Sequence, residues 1–515
     1  GTDALASQNF TTSTDSYNVA VGMNAGTSVT TGVRNVIVGA LAGDALQDAD
    51  FNTVLGFNAL TVDTLGSKST AIGTEALHTQ NFTTATDSLN TAVGYNAGYS
   101  VTTGIQNTLV GGLAGDALTD SDENVAIGYQ ALGSDTLGSR SVAIGHTALF
   151  NQNFTTATDC HNIAIGYFAG AAITTGQNNT IIGALAGDAL TAVNDNVAVG
   201  TGALTTDTMG SGTVAIGRQV LQSQNFTTAT TTYNTAVGFQ AGLAVTTGTQ
   251  NTIVGGLAGD SLTTGTNNVA LGYGALSEED TGGRSTAVGS NALEAQATTA
   301  TFPYNSAFGY GAGQIVSTGN QNTFIGALAG NNCTTGIGNT VLGYNADVGG
   351  AASNGRIAIG ISTVCSSDQR VTIGFGGNTA SLELDGSDTS WAASSDERLK
   401  ENITDSTAGL SFINDLRPVT YNWKKAKDVP NDLPQYVEGS DDPCLGYEYG
   451  TELHGFVAQE VKTAIDNHSE VKDGQSIWVT DETTVQALAP AALIPMLVKA
   501  IQELSAEIEK LKSGG

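Results

Sequence analysis

Cysteine, positive charge and long apolar runs are all scarce in these 515 residues, and each scarcity removes a class of protein. The four cysteines, Cys160, Cys333, Cys365 and Cys444, are too few and too scattered for a disulfide framework or a zinc knuckle, and read as small buried apolar residues. Of the 18 basic residues only Arg34, Lys68, Arg140, Arg218, Arg284, Arg356 and Arg370 lie in 1–390, which excludes a basic groove for nucleic acid over that length. A formal net charge of −30 also argues against docking on anionic membranes, and keeps a long stack soluble. The most apolar stretch, Ala487–Ile501, is broken by Pro490 and Pro495 and is too short to cross a bilayer, so no membrane insertion is expected. No metal or cofactor motif stands out. Proline is rare (7), whereas glycine is abundant (66) and regularly placed.

Gly22, Gly94, Gly166 and Gly238 each open a near-copy of one segment, 72 residues apart. Within a copy the glycines step by 17, 17, 17 and 21, as in Gly22, Gly39, Gly56, Gly73 and Gly94. The last cycle slips by one, through Gly289 and Gly309, and the grid ends at Gly360. Short fixed periods sustained this long predict a stacked, quasi-one-dimensional solenoid. Gly1 already sits on the grid and is not a Met, which leads to the expectation that the chain is the C-terminal part of a longer protein.

One coil reads as in Asn90-Thr-Ala-Val-Gly-Tyr-Asn-Ala97. An apolar residue precedes each grid glycine, Asn or Ser mostly stands four before it, and a small residue mostly follows three after it. The strand is short, β-branched and bounded by turn formers. Stacking in register places Val and Ile in a core stripe and lets Asn side chains form hydrogen-bonded ladders. Seventeen residues suit two short strands and two turns per coil. At about 4.8 Å per coil, the coils from Gly1 to Gly360 make a rod on the order of 100 Å long. This unit resembles the head repeat of trimeric autotransporter adhesins, which implies a parallel β-roll, left-handed, with three chains side by side. The thin core of one roll makes trimerisation the physically sensible way to bury its apolar sides.

The 21-residue coil carries its extra residues in Gln-Asn-Phe-Thr-Thr, at 8–12, 80–84, 152–156 and 224–228. Phe10, Phe82, Phe154 and Phe226 therefore recur up one side, as receptor contacts on protruding loops or as plugs against a neighbouring chain. Asp44, Asp116, Asp188 and Asp260 share the spacing and read as turn aspartates, too far apart to share an ion.

After Trp391 the pattern changes. Ser395-Asp-Glu-Arg-Leu-Lys-Glu-Asn-Ile403 is followed by Leu416-Arg-Pro-Val-Thr-Tyr-Asn-Trp423, Gly455-Phe-Val-Ala-Gln-Glu-Val461 and a terminal helix. This set, over about 391–515, closely resembles the endosialidase-type intramolecular chaperone at the C-termini of bacteriophage tail fibres and tailspikes. The resemblance implies a trimeric folding aid that cuts itself off, with Ser395 as nucleophile and Lys400 as general base. A serine hydroxyl is a weak nucleophile, and a lysine accepts its proton only when burial or nearby positive charge favours the neutral amine. Ser394 is a spare hydroxyl next door, and His454 reads as structural. Ile494, Leu497, Ile501, Leu504, Ile508 and Leu511 form a heptad seam, hence a coiled coil. Ile at a with Leu at d favours two strands by itself; the resemblance implies three.

The expected organisation is an all-β parallel β-roll rod over 1–380, a connector over 381–393, and an α+β chaperone over 394–515 with its helix at about 485–512. The expected role is a homotrimeric phage tail fibre, assembled in the host cytoplasm and carried on the virion beside other tail proteins. It would adsorb to a bacterial surface glycan or protein receptor, without cofactor. The rivals are a polysaccharide depolymerase, which needs two convergent carboxylates not evident off the repeat, a bacterial trimeric adhesin, and a purely structural spacer.

Overall fold

The structure is a computed structural model that describes residues 1–297, 302–385, 392–393, 397, 400–445, 450–472, 476–480 and 486–514. It divides into two units, Gly1–Ser394 and Ser395–Gly515.

The first unit is a β-solenoid. Three-residue strands from Val19–Val21 to Ile357–Ile359, one per coil, pair in parallel and in register, so that Ala126 lies between Leu109 and Ala143. The stack is closed by Arg370–Phe375, by Asn378–Glu383 antiparallel to it, and by Ala392–Ala393 antiparallel to Asn378–Glu383, giving one sheet of 23 strands. Among the described residues, the second short strand expected in every coil is formed at three of the 21-residue coils, where Gly66–Ser67, Gly138–Ser139 and Gly210–Ser211 pair with the returning loops, and is reduced to isolated bridges at Asn320, Ile337 and Asn354. Much of the rest of each described coil is turns. Many are left-handed at non-glycine residues, such as Asn96, Leu113 and Gln130, a conformation that costs most residues roughly 1–2 kcal/mol. Bonds between coils offset the cost: the N–H groups of these three donate to Thr74, Tyr95 and Gly112 oxygens at 3.0, 2.8 and 3.1 Å.

The grid glycine is required twice over. Gly111 has φ +135°, and a Cβ there would lie 2.5 Å from the carbonyl oxygen of Gly128 in the next coil. Two residues before it, the central strand residue points inward: Ile37, Val54, Ala71, Ala92 and Leu109 are fully buried. The small residues three after the glycine (Ala25, Ala42, Ala59, Ala76, Ala97) line the same core. An alanine core is thin, since only a fully buried Val, Leu, Ile, Phe or Met contributes about 1.5–3 kcal/mol.

The asparagine ladder forms, and most of its bonds run to the backbone. Asn107 Nδ2 donates to the Ser121 carbonyl at 2.7 Å, while Asn107 Oδ1 accepts the Asn124 N–H at 3.0 Å. The pattern repeats at Asn35, Asn90, Asn162, Asn179, Asn234, Asn251 and Asn322, all buried.

In the second unit Phe412, Val461, Ile465, Val471, Ile477 and Leu493 form a small core. Around it, among the described residues, lie four helices, α1 (Leu410–Asn414), α2 (Ala458–Asn467), α3 (Ser469–Lys472) and α4 (Ile494–Ser513). Two antiparallel strand pairs complete it, Val419–Tyr421 with Leu453–Gly455 and Trp478–Thr480 with Gln486–Leu488. The terminal helix thus starts at Ile494, later than the 485 expected, after a 3₁₀ turn at Pro490–Leu493. Proline lacks an N–H and fits only the first turn of a helix, and Pro495 occupies that turn here.

Candidate functional site

The C-terminal unit carries the residues expected to do chemistry. Ser395 lies outside the described residues, as does Ser394. Lys400 is exposed, with its backbone N–H donating to the Glu397 oxygen at 3.0 Å. His454 is exposed in a strand opposite Thr420. Packing holds the following segment in place. The Glu503 carboxylate on α4 accepts the Leu410 N–H at 2.7 Å and so caps α1. Gly409 makes this approach possible, because any Cβ there would overlap that carboxylate.

The heptad residues lie on α4 and remain uncovered in the single chain: Ile494, Leu497, Ile501, Leu504, Ile508 and Leu511 are all exposed, Leu511 at 78 %. A groove of about 310 Å³ lined by Ile413, Leu416, Pro418, Phe456, Pro490, Leu493 and Leu497 shares Leu497 with that seam.

The rod presents a second uncovered surface. Because alternate strand residues point outward, the residues three and one before the glycine, and the one after it, form one face along the stack. Val19, Val21, Val36, Leu55, Ile127, Ile163, Ile216, Phe308, Ile325 and Leu342 stand exposed in its centre. Phe57, Tyr95, Tyr129, Tyr167, Phe239, Tyr273, Tyr310 and Tyr344 follow one margin, where Tyr129, His146 and Tyr167 form a ladder with ring centroids 5.4 and 5.5 Å apart. The residues five before the glycine follow the other margin and include Arg34, Lys68, Glu123 and Arg140. Apolar centre and polar edge match the anatomy of protein interfaces.

The phenylalanines expected as receptor contacts or inter-chain plugs are placed differently. Phe82, Phe154 and Phe226 are only 5–6 % exposed within their own chain, and Phe10 is half-buried. Phe82 packs over Gly66, whose missing Cβ makes room for the ring. What the loops expose is Thr83-Thr84-Ala85, Thr155-Thr156-Ala157 and Thr227-Thr228-Ala229.

Beneath each loop lies a buried polar cluster that composition and spacing did not reveal. Asp63 Oδ1 accepts the N–H groups of Gly66 and Phe82 at 3.0 and 3.1 Å, and Oδ2 accepts Gln80 Nε2 at 2.6 Å. Gln80 also donates to Ser69 Oγ at 2.8 Å and accepts Asn90 Nδ2 at 2.9 Å. Ser69 stands where other coils have Asn, so Gln80 splices the ladder across the inserted residues. Asp135 with Gln152 and Asp207 with Gln224 repeat the arrangement, and Glu279 with Gln296 repeats it with a longer acid. Burial raises the Asp63 carboxyl above its usual range, against the opposing Gln80 bond. Cys160, in the second cluster, has its thiol pushed up to about 12, by burial first and by Asp135 next, so it is an inert packing residue. The visible signal was an acid-x-x-Gly string seventeen residues before each Gln.

Of the turn aspartates, Asp44 and Asp188 accept the hydroxyls of Thr61 and Thr205 in the next coil. Gly133 and Ser277 occupy the corresponding places for Asp116 and Asp260, and burial raises both of those carboxyls.

Residues 395–470 match the family described as chaperone of endosialidase (peptidase S74). No curated protein matches the chain.

Proposed function

We propose that the chain is a homotrimeric fibre of tail-fibre or tailspike type, whose residues 395–515 drive trimer folding and are then released by self-cleavage. The observation that carries this reading is a chaperone-of-endosialidase segment at the end of a β-solenoid with one continuous uncovered apolar face. Two further copies of the chain would cover that face, and the α4 seam would bring the same three copies together at the other unit. Virion location, host-surface adsorption and contact with other tail proteins belong to the same proposal.

For release, the Ser395 hydroxyl attacks a neighbouring peptide carbonyl. Its proton passes to a neutral Lys400 amine and then to the departing nitrogen, and water frees the resulting ester. Lys400 is exposed in the single chain, so assembly would have to supply the burial that frees its lone pair. Cleavage would then follow folding. With the Phe rings inside, glycan or protein contact falls to the Thr-Thr-Ala tips. A structural spacer is the second reading, favoured by the near-identity of successive tips.

Sedimentation of the uncleaved Ser395→Ala chain tests assembly: the proposal expects a species of about three times the 52.2 kDa chain mass, and a monomer contradicts it. A chain ending at Ser394 should aggregate when synthesised alone. A soluble trimer from it would remove the chaperone role.

A further inference from the structure

His468 is held on both ring nitrogens. It stands at the corner between α2 and α3 and is 9 % exposed. Its Nε2 lies 2.9 Å from Asp415 Oδ2, just past the end of α1, and its Nδ1 lies 2.8 Å from Glu470 Oε1 on α3. The ring meets Phe412, the fully buried centre of this unit, edge-on at 5.5 Å. A neutral imidazole has one N–H and one lone pair, so it can donate to only one of two carboxylates. The other would face a lone pair across a hydrogen-bond distance. Only the imidazolium satisfies both.

We infer that Asp415, His468 and Glu470 form a proton-dependent clamp joining α1 to the α2–α3 corner of the C-terminal unit. Among the described residues, the charged groups facing the ring are Asp415 from the segment after α1 and Glu470 from α3. The neighbouring cation on α2, Lys462, pairs with Asp466 instead. The position at the C-terminus of α2 further favours a cation. Donating to the Asp415 carboxylate first and the Glu470 carboxylate next holds the His468 pKa above its ordinary range. The clamp is therefore fully present below about pH 6.5 and is lost as pH rises through the higher folded value. All three clamp residues lie within the chaperone-matching residues 395–470.

The test uses the full-length Ser395→Ala chain with its five histidines labelled with ¹³C at Cε1. The resonance missing from His468→Gln should titrate above about pH 6.5, and Asp415→Asn should move that midpoint down. Amide exchange in α1 and α2, corrected for intrinsic rate, should be roughly tenfold slower at about pH 6 than at about pH 8, and this difference should vanish in His468→Gln. A midpoint at or below the ordinary histidine value, or a pH difference unchanged in His468→Gln, overturns the clamp. If His468→Gln fails to fold, the midpoints of the parent chain and Asp415→Asn decide alone.

Discussion

Replacing Asn107 by Ala tests what holds one coil on the next. The side chain satisfies two buried backbone groups, the Ser121 carbonyl and the Asn124 N–H, and neither has another bonding partner among the described residues. An orphaned buried group costs about 1–3 kcal/mol, so the pair costs about 2–6 kcal/mol. In a quasi-one-dimensional stack the loss stays near the coils that share the contact. Hydrogen exchange should therefore show protection of Thr108–Val110 and Val125–Ile127 falling at least roughly thirtyfold, while Thr252–Val254 keeps its own. The control is Asn151→Ala, an exposed position expected to change stability by less than about 0.5 kcal/mol. Unchanged protection in Asn107→Ala would show that the strands, not the ladder, hold the stack.

Three further outcomes follow from the same geometry. Gly111→Ala places a Cβ 2.5 Å from the Gly128 oxygen at φ +135°, and should lower the denaturation midpoint by far more than Gly112→Ala, where the nearest atom is 3.6 Å away. Phe154→Ala empties a buried site and should cost about 3–5 kcal/mol in equilibrium denaturation, whereas Thr156→Ala at the exposed tip should leave stability alone and weaken any surface adsorption. Burial raises the Asp116 and Asp260 carboxyls, so folding favours their protonated forms; that contribution is present below about pH 4 and is lost as pH rises through the folded values. The double variant Asp116→Asn/Asp260→Asn should thus melt above the parent at neutral pH, with the gap closing in acid.

The solenoid was legible because its cause is local and repeated: glycine, β-branched neighbours and Asn at fixed offsets recur in every coil. The second strand per coil was not, because left-handed turns at Leu and Gln carry no compositional mark and are stabilised only by the neighbouring coil. Phe154 read as a surface or inter-chain residue because spacing gives its column but not the direction of its ring. The Asp135–Gln152 cluster was missed because its members are seventeen residues apart and meet only after stacking. At the C-terminus the motif string outran the geometry. Lys400 is placed, Ser395 lies outside the described residues, and the helix start was shifted by Pro490 and Pro495.

The central claim is that folding of the rod and release of its chaperone are one sequence of events. Intact masses of the full chain and of Ser395→Ala under denaturing conditions, beside sedimentation of both under native conditions, test it most directly. The account predicts that the 52.2 kDa chain divides next to residue 395 and that the variant stays whole while still forming trimers. A wild-type chain that assembles and remains whole would contradict it.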